Sequence, residues 1–203
     1  MIEARRLDLV RHGEPAGGGG RFLGREDEPL SPRGEAQMVA ALADLACWEG
    51  GPSWDGVLSS PLRRCRLPAE RFAAEQGVRL SLVPEWVELD FGAWEGRSVA
   101  AVHREDGRRL AAFWKDPWRH APPGGESLAD FARRVRSGWH RLRAEVPGRR
   151  WLVFGHAGVM RLLLMIALDL PPAALWCWRL DYGARLRLEA EPWALVRLEG
   201  ERP

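Results

Sequence analysis

Apolar positions recur along this chain with two different periods, and the switches between them lay out its elements. Residues 7–10, Leu-Asp-Leu-Val, form a short run that ends abruptly in Arg11, His12 and Gly13, as expected of a buried strand feeding polar side chains into a loop. The same arrangement returns where Trp151, Leu152, Val153 and Phe154 run into Gly155, His156, Ala157 and Gly158. Further strands are predicted over residues 54–58 and 78–83, with alternating strand-like pieces at 175–180, 184–188 and 195–198. Helical spacing alternates with these runs. Leu128, Phe131, Val135, Trp139, Leu142 and Val146 fall at steps of three and four and stripe one helix face. Ser31 and Pro32 read as an N-cap and a first-turn proline for a helix reaching about Leu45. Other helices are predicted from Ser59-Ser60-Pro61-Leu62 onward, over residues 98–114 and over residues 159–168. Pro68 lies inside the first of these, and its missing N–H predicts a kink or a helix end there.

Between the elements lie a glycine-rich loop at residues 17–29, the break Gly50-Gly51-Pro52, and a loop at 116–125 carrying Pro117, Pro122 and Pro123. Residues 88–96 read as too irregular, and too rich in glycine, tryptophan and acid, to form a core element. Strands alternating with helices predict an α/β sandwich. At 203 residues the chain fits one domain, which is taken to span residues 1–203.

Composition narrows the chemistry. The net charge of +2 is slight and dispersed, so neither a nucleic-acid nor a membrane partner is expected. Lys115 is the single lysine among 30 basic residues, which excludes a phosphate loop of the Gly-Lys-Ser/Thr type. Cys47, Cys65 and Cys177 are widely spaced and include no C-x-x-C pair, so a disulfide framework and a zinc site are both unexpected. With no apolar signal core at the amino terminus, a cytoplasmic location is expected. The apolar stretch at residues 151–170 is interrupted by Gly155, His156, Gly158 and Arg161, and reads as strand, turn and helix rather than a membrane span.

Two strands that each deliver a histidine into a glycine-bordered loop place both imidazoles at the carboxyl edge of one sheet, where open α/β folds build their sites. Taken together, Arg11-His12-Gly13-Glu14, residues 59–65, residues 88–96, Gly124-Gly125-Glu126-Ser127 and Gly155-His156-Ala157-Gly158 resemble, in order, the motifs of the histidine phosphatase superfamily, in the branch of the cofactor-dependent phosphoglycerate mutases. The resemblance implies a three-layer α/β/α sandwich on a mostly parallel sheet. It also implies a phosphomonoester hydrolase that needs no cofactor and no metal, because arginines supply the positive charge.

By that resemblance His12 is the nucleophile and passes through a phosphohistidine, while Arg11 and Arg64 bind the phosphoryl oxygens. Their planar forks suit bidentate contact. Matching the family spacing selects Arg64 over Arg63 and Arg66. His156, best as an imidazolium, and the Ala157 amide at a helix start would add hydrogen bonds. Glu88 is the implied proton donor, with Glu85, Asp90 and Glu95 as competitors, and a bound phosphate is expected to keep it protonated by like-charge repulsion. Glu14 and Glu126 are expected to orient the arginines and the histidine. Gly13 leaves room for close backbone approach or marks a simple turn.

Residues 20–34, together with Pro122-Pro123-Gly124-Gly125-Glu126-Ser127-Leu128, look like those of the α-ribazole phosphatases of cobalamin biosynthesis. Arg21, Leu23 and Gly24 would then line the substrate rim, and Trp94, Trp114 and Trp118 are candidates to wall the site or to cover a base. The expected partner is a small-molecule phosphate ester. The sequence leaves the oligomeric state open, a homodimer being one option. Broad phosphomonoesterase, phosphoglycerate mutase and a non-catalytic phosphate-binding module stand as the other functional readings.

Overall fold

A computed structural model describes residues 6–47, 53–145, 150–189 and 194–199. The break at residues 50–52 and Val146 of the helical stripe lie outside the described residues.

Six strands form one sheet: β1 (Arg6–Arg11), β2 (Gly56–Ser59), β3 (Arg79–Leu82), β4 (Arg150–Gly155), β5 (Arg185–Glu189) and β6 (Ala194–Glu199). They lie in the order β3-β2-β4-β1-β5-β6. The four strands from β3 to β1 are parallel, and β5 and β6 close the sheet antiparallel. Parallel neighbours need crossovers, and these are helices. They are α1 (Pro32–Ala46), α2 (Arg63–Gln76), α3 (Val99–Lys115) and α4 (Leu128–Glu145), while α5 (Ala157–Ala167) lies between β4 and the antiparallel β5.

Because side chains alternate across a strand, each central strand feeds two cores. On one face Val10, Val57, Leu152 and Phe154 pack with Met38 and Leu45 of α1 and with Cys65, Ala69 and Ala73 of α2. On the other face Leu7, Leu9, Leu58, Trp151 and Val153 pack with Phe131, Val135 and Trp139 of α4 and with Leu162 and Leu163 of α5. The result is the three-layer α/β/α sandwich, mostly parallel, that the sequence implies.

The helix signals hold in detail. Ser31 accepts a hydrogen bond from the Gly34 amide, and Ser98 accepts one from Ala101. Three expectations change. Leu175 to Leu180 is not a strand: Pro172–Trp176 is a 3-10 turn, because Leu175 is buried against the helical layer instead of entering a ladder. Residues 88–96 are irregular as expected, yet Leu89 and Trp94 are core residues, since the loop folds inward over α3. Finally, α2 runs unbroken through Pro68, where a helix end is one of the predicted outcomes. Burial of Pro68 with its neighbours Cys65, Ala69 and Ala73 holds the helix across the missing hydrogen bond. Within α3, Asp106 leaves helical dihedrals while its carboxylate accepts from the Trp94 indole at 3.1 Å.

Candidate active site

β1 and β4 run side by side, with Arg11 opposite Gly155. The pairing continues one step past the strands, where the His12 amide donates to the Gly155 carbonyl at 2.9 Å. Two histidines far apart in sequence therefore leave the sheet together. Their rings lie 5.2 Å apart, edge to face. The fold thus satisfies the demand that both imidazoles share one sheet edge.

His12 is buried, and its Nδ1 lies 2.7 Å from the Gly13 carbonyl oxygen. A carbonyl only accepts, so Nδ1 carries the proton and Nε2 carries the lone pair of the neutral ring. Burial, followed by the Arg64 and Arg11 guanidinium charges, pushes the His12 pKa well below its ordinary value. The neutral ring is therefore the resting form. Gly13 is needed for close approach, because a Cβ there would sit 2.1 Å from the Gly34 carbonyl oxygen. The loop after β1 thereby lies directly on the start of α1.

His156 is fully buried, and its Nε2 is 2.8 Å from Ser60 Oγ. The Cys65 sulfur lies 3.7 Å from the same nitrogen. Burial and then Arg64 hold His156 well below the usual histidine pKa, so the ring is neutral, in place of the imidazolium expected from sequence. Desolvation among cations opposes a further charge. Burial also pushes the Cys65 thiol up to about 12, leaving it a neutral packing group.

The arginines differ from simple phosphate forks. Arg64, fully buried, donates through Nη1 to the Glu26 carbonyl at 2.6 Å and through Nη2 to the Gly24 carbonyl at 2.8 Å. Arg11 donates through Nη1 to the Leu180 carbonyl at 2.5 Å and lies 4.1 Å over the Tyr182 ring. Each keeps a buried Nε without a hydrogen-bond partner. Both cations are therefore fixed by backbone carbonyls, and Arg64 holds the loop after β1 as well.

Glu88 is buried in the cleft that Arg11 and His12 also line. One carboxylate oxygen accepts from the Gly158 amide at 2.9 Å, in the first turn of α5 just beyond His156. The other accepts from the Leu89 amide at 3.0 Å. Of the competing acids, Glu85 pairs with Arg141 at 2.6 Å and Glu95 accepts from the Gly24 and Phe91 amides, while Asp90 accepts from the Gly92 amide. None of the three lines the cleft.

Glu126 binds Arg134 at 2.7 and 2.8 Å, and Arg134 donates to the Glu85, Val87 and Glu88 carbonyls. Glu126 thus orients an arginine that clamps the Glu88 loop, not a phosphate arginine as expected. Glu14 faces Arg33 at 3.7 Å and Ser31 at 3.4 Å. It anchors α1 and leaves the site arginines untouched, because the chain has already turned away from the sheet edge.

Around the rim, Arg21 and Leu23 line the cleft, with Arg21 bound to Glu28 at 2.7 Å. Ala157 and Gly158 line it from α5. Gly24 does not line it and contributes through the carbonyl that holds Arg64. The expected tryptophans are elsewhere. Trp94 is core beneath Phe22, Trp114 is exposed outside the cleft, and Trp118 donates to the Pro172 carbonyl. Trp176, Tyr182 and Arg161 line the cleft instead. Sequence reasoning missed them, since no motif marks them and residues 175–180 read as a strand. Among the described residues, no group of three histidine, cysteine or acidic side chains could hold a metal ion, and no helix is long and apolar enough to cross a membrane.

The chain is similar to known proteins over most of its length. The model of the histidine phosphatase superfamily (branch 1) matches residues 7–199. The chain is 34% identical over 182 residues to an adenosylcobalamin/α-ribazole phosphatase of Escherichia coli, covering 88% of this chain and 86% of that one. It is 32% identical to a glucosyl-3-phosphoglycerate phosphatase of Mycobacterium tuberculosis, covering 85% and 79%. Among solved structures, a putative α-ribazole-5′-P phosphatase from Escherichia coli superposes with a TM-score of 0.85 at 29% identity, covering 98% of each chain.

Proposed function

The chain belongs to branch 1 of the histidine phosphatase superfamily, and from that premise we propose that it hydrolyses phosphate monoesters through a covalent phosphohistidine at His12. The observation that carries this reading is the His12 ring. It is neutral, pinned through Nδ1 to Gly13, and flanked by two fixed guanidinium groups and a second imidazole.

Nε2 of His12 attacks phosphorus as the ester P–O bond breaks, and the leaving alkoxide takes a proton from Glu88. Water then attacks the phosphohistidine, the P–N bond breaks, and the water proton passes to Glu88. The equatorial oxygens are met by Arg11, Arg64, the neutral N–H of His156 and the Ala157 amide, which need no reorganisation because they are already held. No metal has a part in this scheme, since the arginines carry the compensating charge.

The preferred ester in this reading is α-ribazole 5′-phosphate, supported by the names of two similar proteins and by the apolar wall of the cleft. Alkaline quenching after brief mixing with this ester should trap an acid-labile, base-stable phosphoryl group on His12, together with release of inorganic phosphate. Mapping the label to another residue, or finding none while phosphate accumulates, overturns the mechanism. Equal rates on α-ribazole phosphate and on glucosyl-3-phosphoglycerate overturn the substrate. Transfer from bisphosphoglycerate to monophosphoglycerate without phosphate release would indicate a mutase.

A further inference from the structure

The cleft is polar at one end and aromatic at the other. Arg11, His12 and Glu88 form the phosphoryl end, and beyond them the wall is Phe91, Phe113, Leu175 and Trp176. Phe113 and Leu175 are core residues. Trp176 is not: it is 47% exposed, and it is the large exposed aromatic that also lines this cleft. Trp114, exposed to a similar degree at 45%, lies outside it.

The Trp176 indole is nevertheless held in place. Phe113 meets it edge to face at 6.3 Å. The Arg161 guanidinium lies 5.4 Å over the ring, and Arg161 is itself tethered by Nε and Nη2 to the Trp178 carbonyl at 3.2 and 3.1 Å. A tethered cation over one ring face and an aromatic at its edge hold the indole in place, and about half of it remains exposed. Of the other cations lining the cleft, Arg21 is paired with Glu28. The outer cleft thus offers flat apolar surface, with its cations held in internal contacts.

Resting on the phosphatase reading above, we infer that Trp176, backed by Arg161 and Phe113, is the specificity-determining platform on which a flat, uncharged aromatic group of the leaving alcohol stacks. The selected substrates are then esters of primary alcohols that carry such a group, in preference to carboxylated alcohols and to sugars without an aromatic substituent.

The test uses three esters with the same kind of leaving oxygen: 3-phenylpropyl, 3-cyclohexylpropyl and propyl phosphate. Wild-type protein should favour the phenyl ester over propyl by about tenfold or more in kcat/KM, and over its cyclohexyl counterpart by a smaller margin. Trp176→Ala should collapse the phenyl-to-propyl ratio to about 2, mainly through KM, while Trp176→Phe retains most of it. An unchanged ratio in Trp176→Ala, equal losses on all three esters, or a wild-type preference for 3-phosphoglycerate overturns the inference. Calorimetry with 3-phenylpropylphosphonate and propylphosphonate gives the same comparison without turnover. If nothing is hydrolysed but the phenyl phosphonate still binds more tightly through Trp176, the phosphatase reading fails and the platform stands. Hydrolysis of all three esters without discrimination refutes the platform alone.

Discussion

Gly158→Ala offers a sharp test of how Glu88 is positioned. In an ordinary helix this change is favourable by about 0.5–1 kcal/mol. Here a Cβ would lie 2.3 Å from Glu88 Oε1 and 3.0 Å from a Phe131 ring carbon. Ordinary contact begins near 3.4 Å, so the carboxylate must retreat by about 1 Å. Phe131 blocks the alternative of shifting the helix. The retreat breaks the charge-assisted bond from the Gly158 amide, worth about 1.5–3 kcal/mol, leaving a net loss of stability of about 1–2 kcal/mol after the helical gain. A displacement of about 1 Å at a reacting group lowers turnover by about 10²-fold.

The assay is steady-state hydrolysis of an alkyl phosphate and of p-nitrophenyl phosphate, with urea unfolding alongside. With the alkyl ester kcat should fall about 10²-fold while KM changes little, because the phosphate cations are held elsewhere. With the nitrophenyl ester, whose leaving group needs no proton, phosphorylation should stay fast and dephosphorylation should become limiting, visible as a burst. Glu88→Gln should behave in the same way. Wild-type kcat on the alkyl ester in Gly158→Ala, or no burst with the nitrophenyl ester, would refute the proton-transfer role of Glu88.

Three further outcomes are expected. Because His12 and His156 are held well below 6.5, the acid limb of kcat/KM should lie below the ordinary histidine range; a half-maximal point at or above about 6.5 contradicts the neutral nucleophile. Their folded pKa values are depressed, so the unfolded chain binds more protons below about 6.5. Stability should then fall with decreasing pH by about 1.4 kcal/mol per unit per histidine until the folded pKa is reached, and His12→Asn should flatten this slope in urea titrations. Asp8→Ala removes a fully buried carboxylate that accepts from Arg187 at 2.6 Å and from the Trp54 indole at 2.8 Å. Unfolding free energy should drop by about 3–5 kcal/mol, and a loss below 1 would show the network to be dispensable. Pro68→Ala restores an amide for the Arg64 carbonyl, about 3 kcal/mol in a helix interior, against two lost buried methylenes at about 0.8 kcal/mol each and a more flexible unfolded chain. Thermal melting should show a gain of about 0.5–1 kcal/mol; a net loss would mean that burial of the ring outweighs the missing bond.

What could be read from the chain alone is what depends on neighbours in sequence. A run such as Leu7 to Val10 specifies a strand buried on both faces, and Ser31-Pro32 specifies a helix start, because backbone geometry imposes the period and the cap locally. The two strand-histidine-glycine segments likewise announced that His12 and His156 leave one sheet edge. Partners remote in sequence were not legible. The charge of Asp8 within an apolar run is met by Arg187, on a strand at the far end of the chain. The Nη groups of Arg64 go to carbonyls of residues 23–26, and Glu126 holds Arg134 instead of a phosphate arginine. Leu175 to Leu180 imitates strand alternation, yet it became the turn and loop that bring Trp176 to the cleft. Periodicity determines which face of an element is apolar. Only the packed sheet and its crossovers decide which side chains meet there, and therefore that both histidines are held neutral, which carboxylate faces the cleft and which tryptophan lines it.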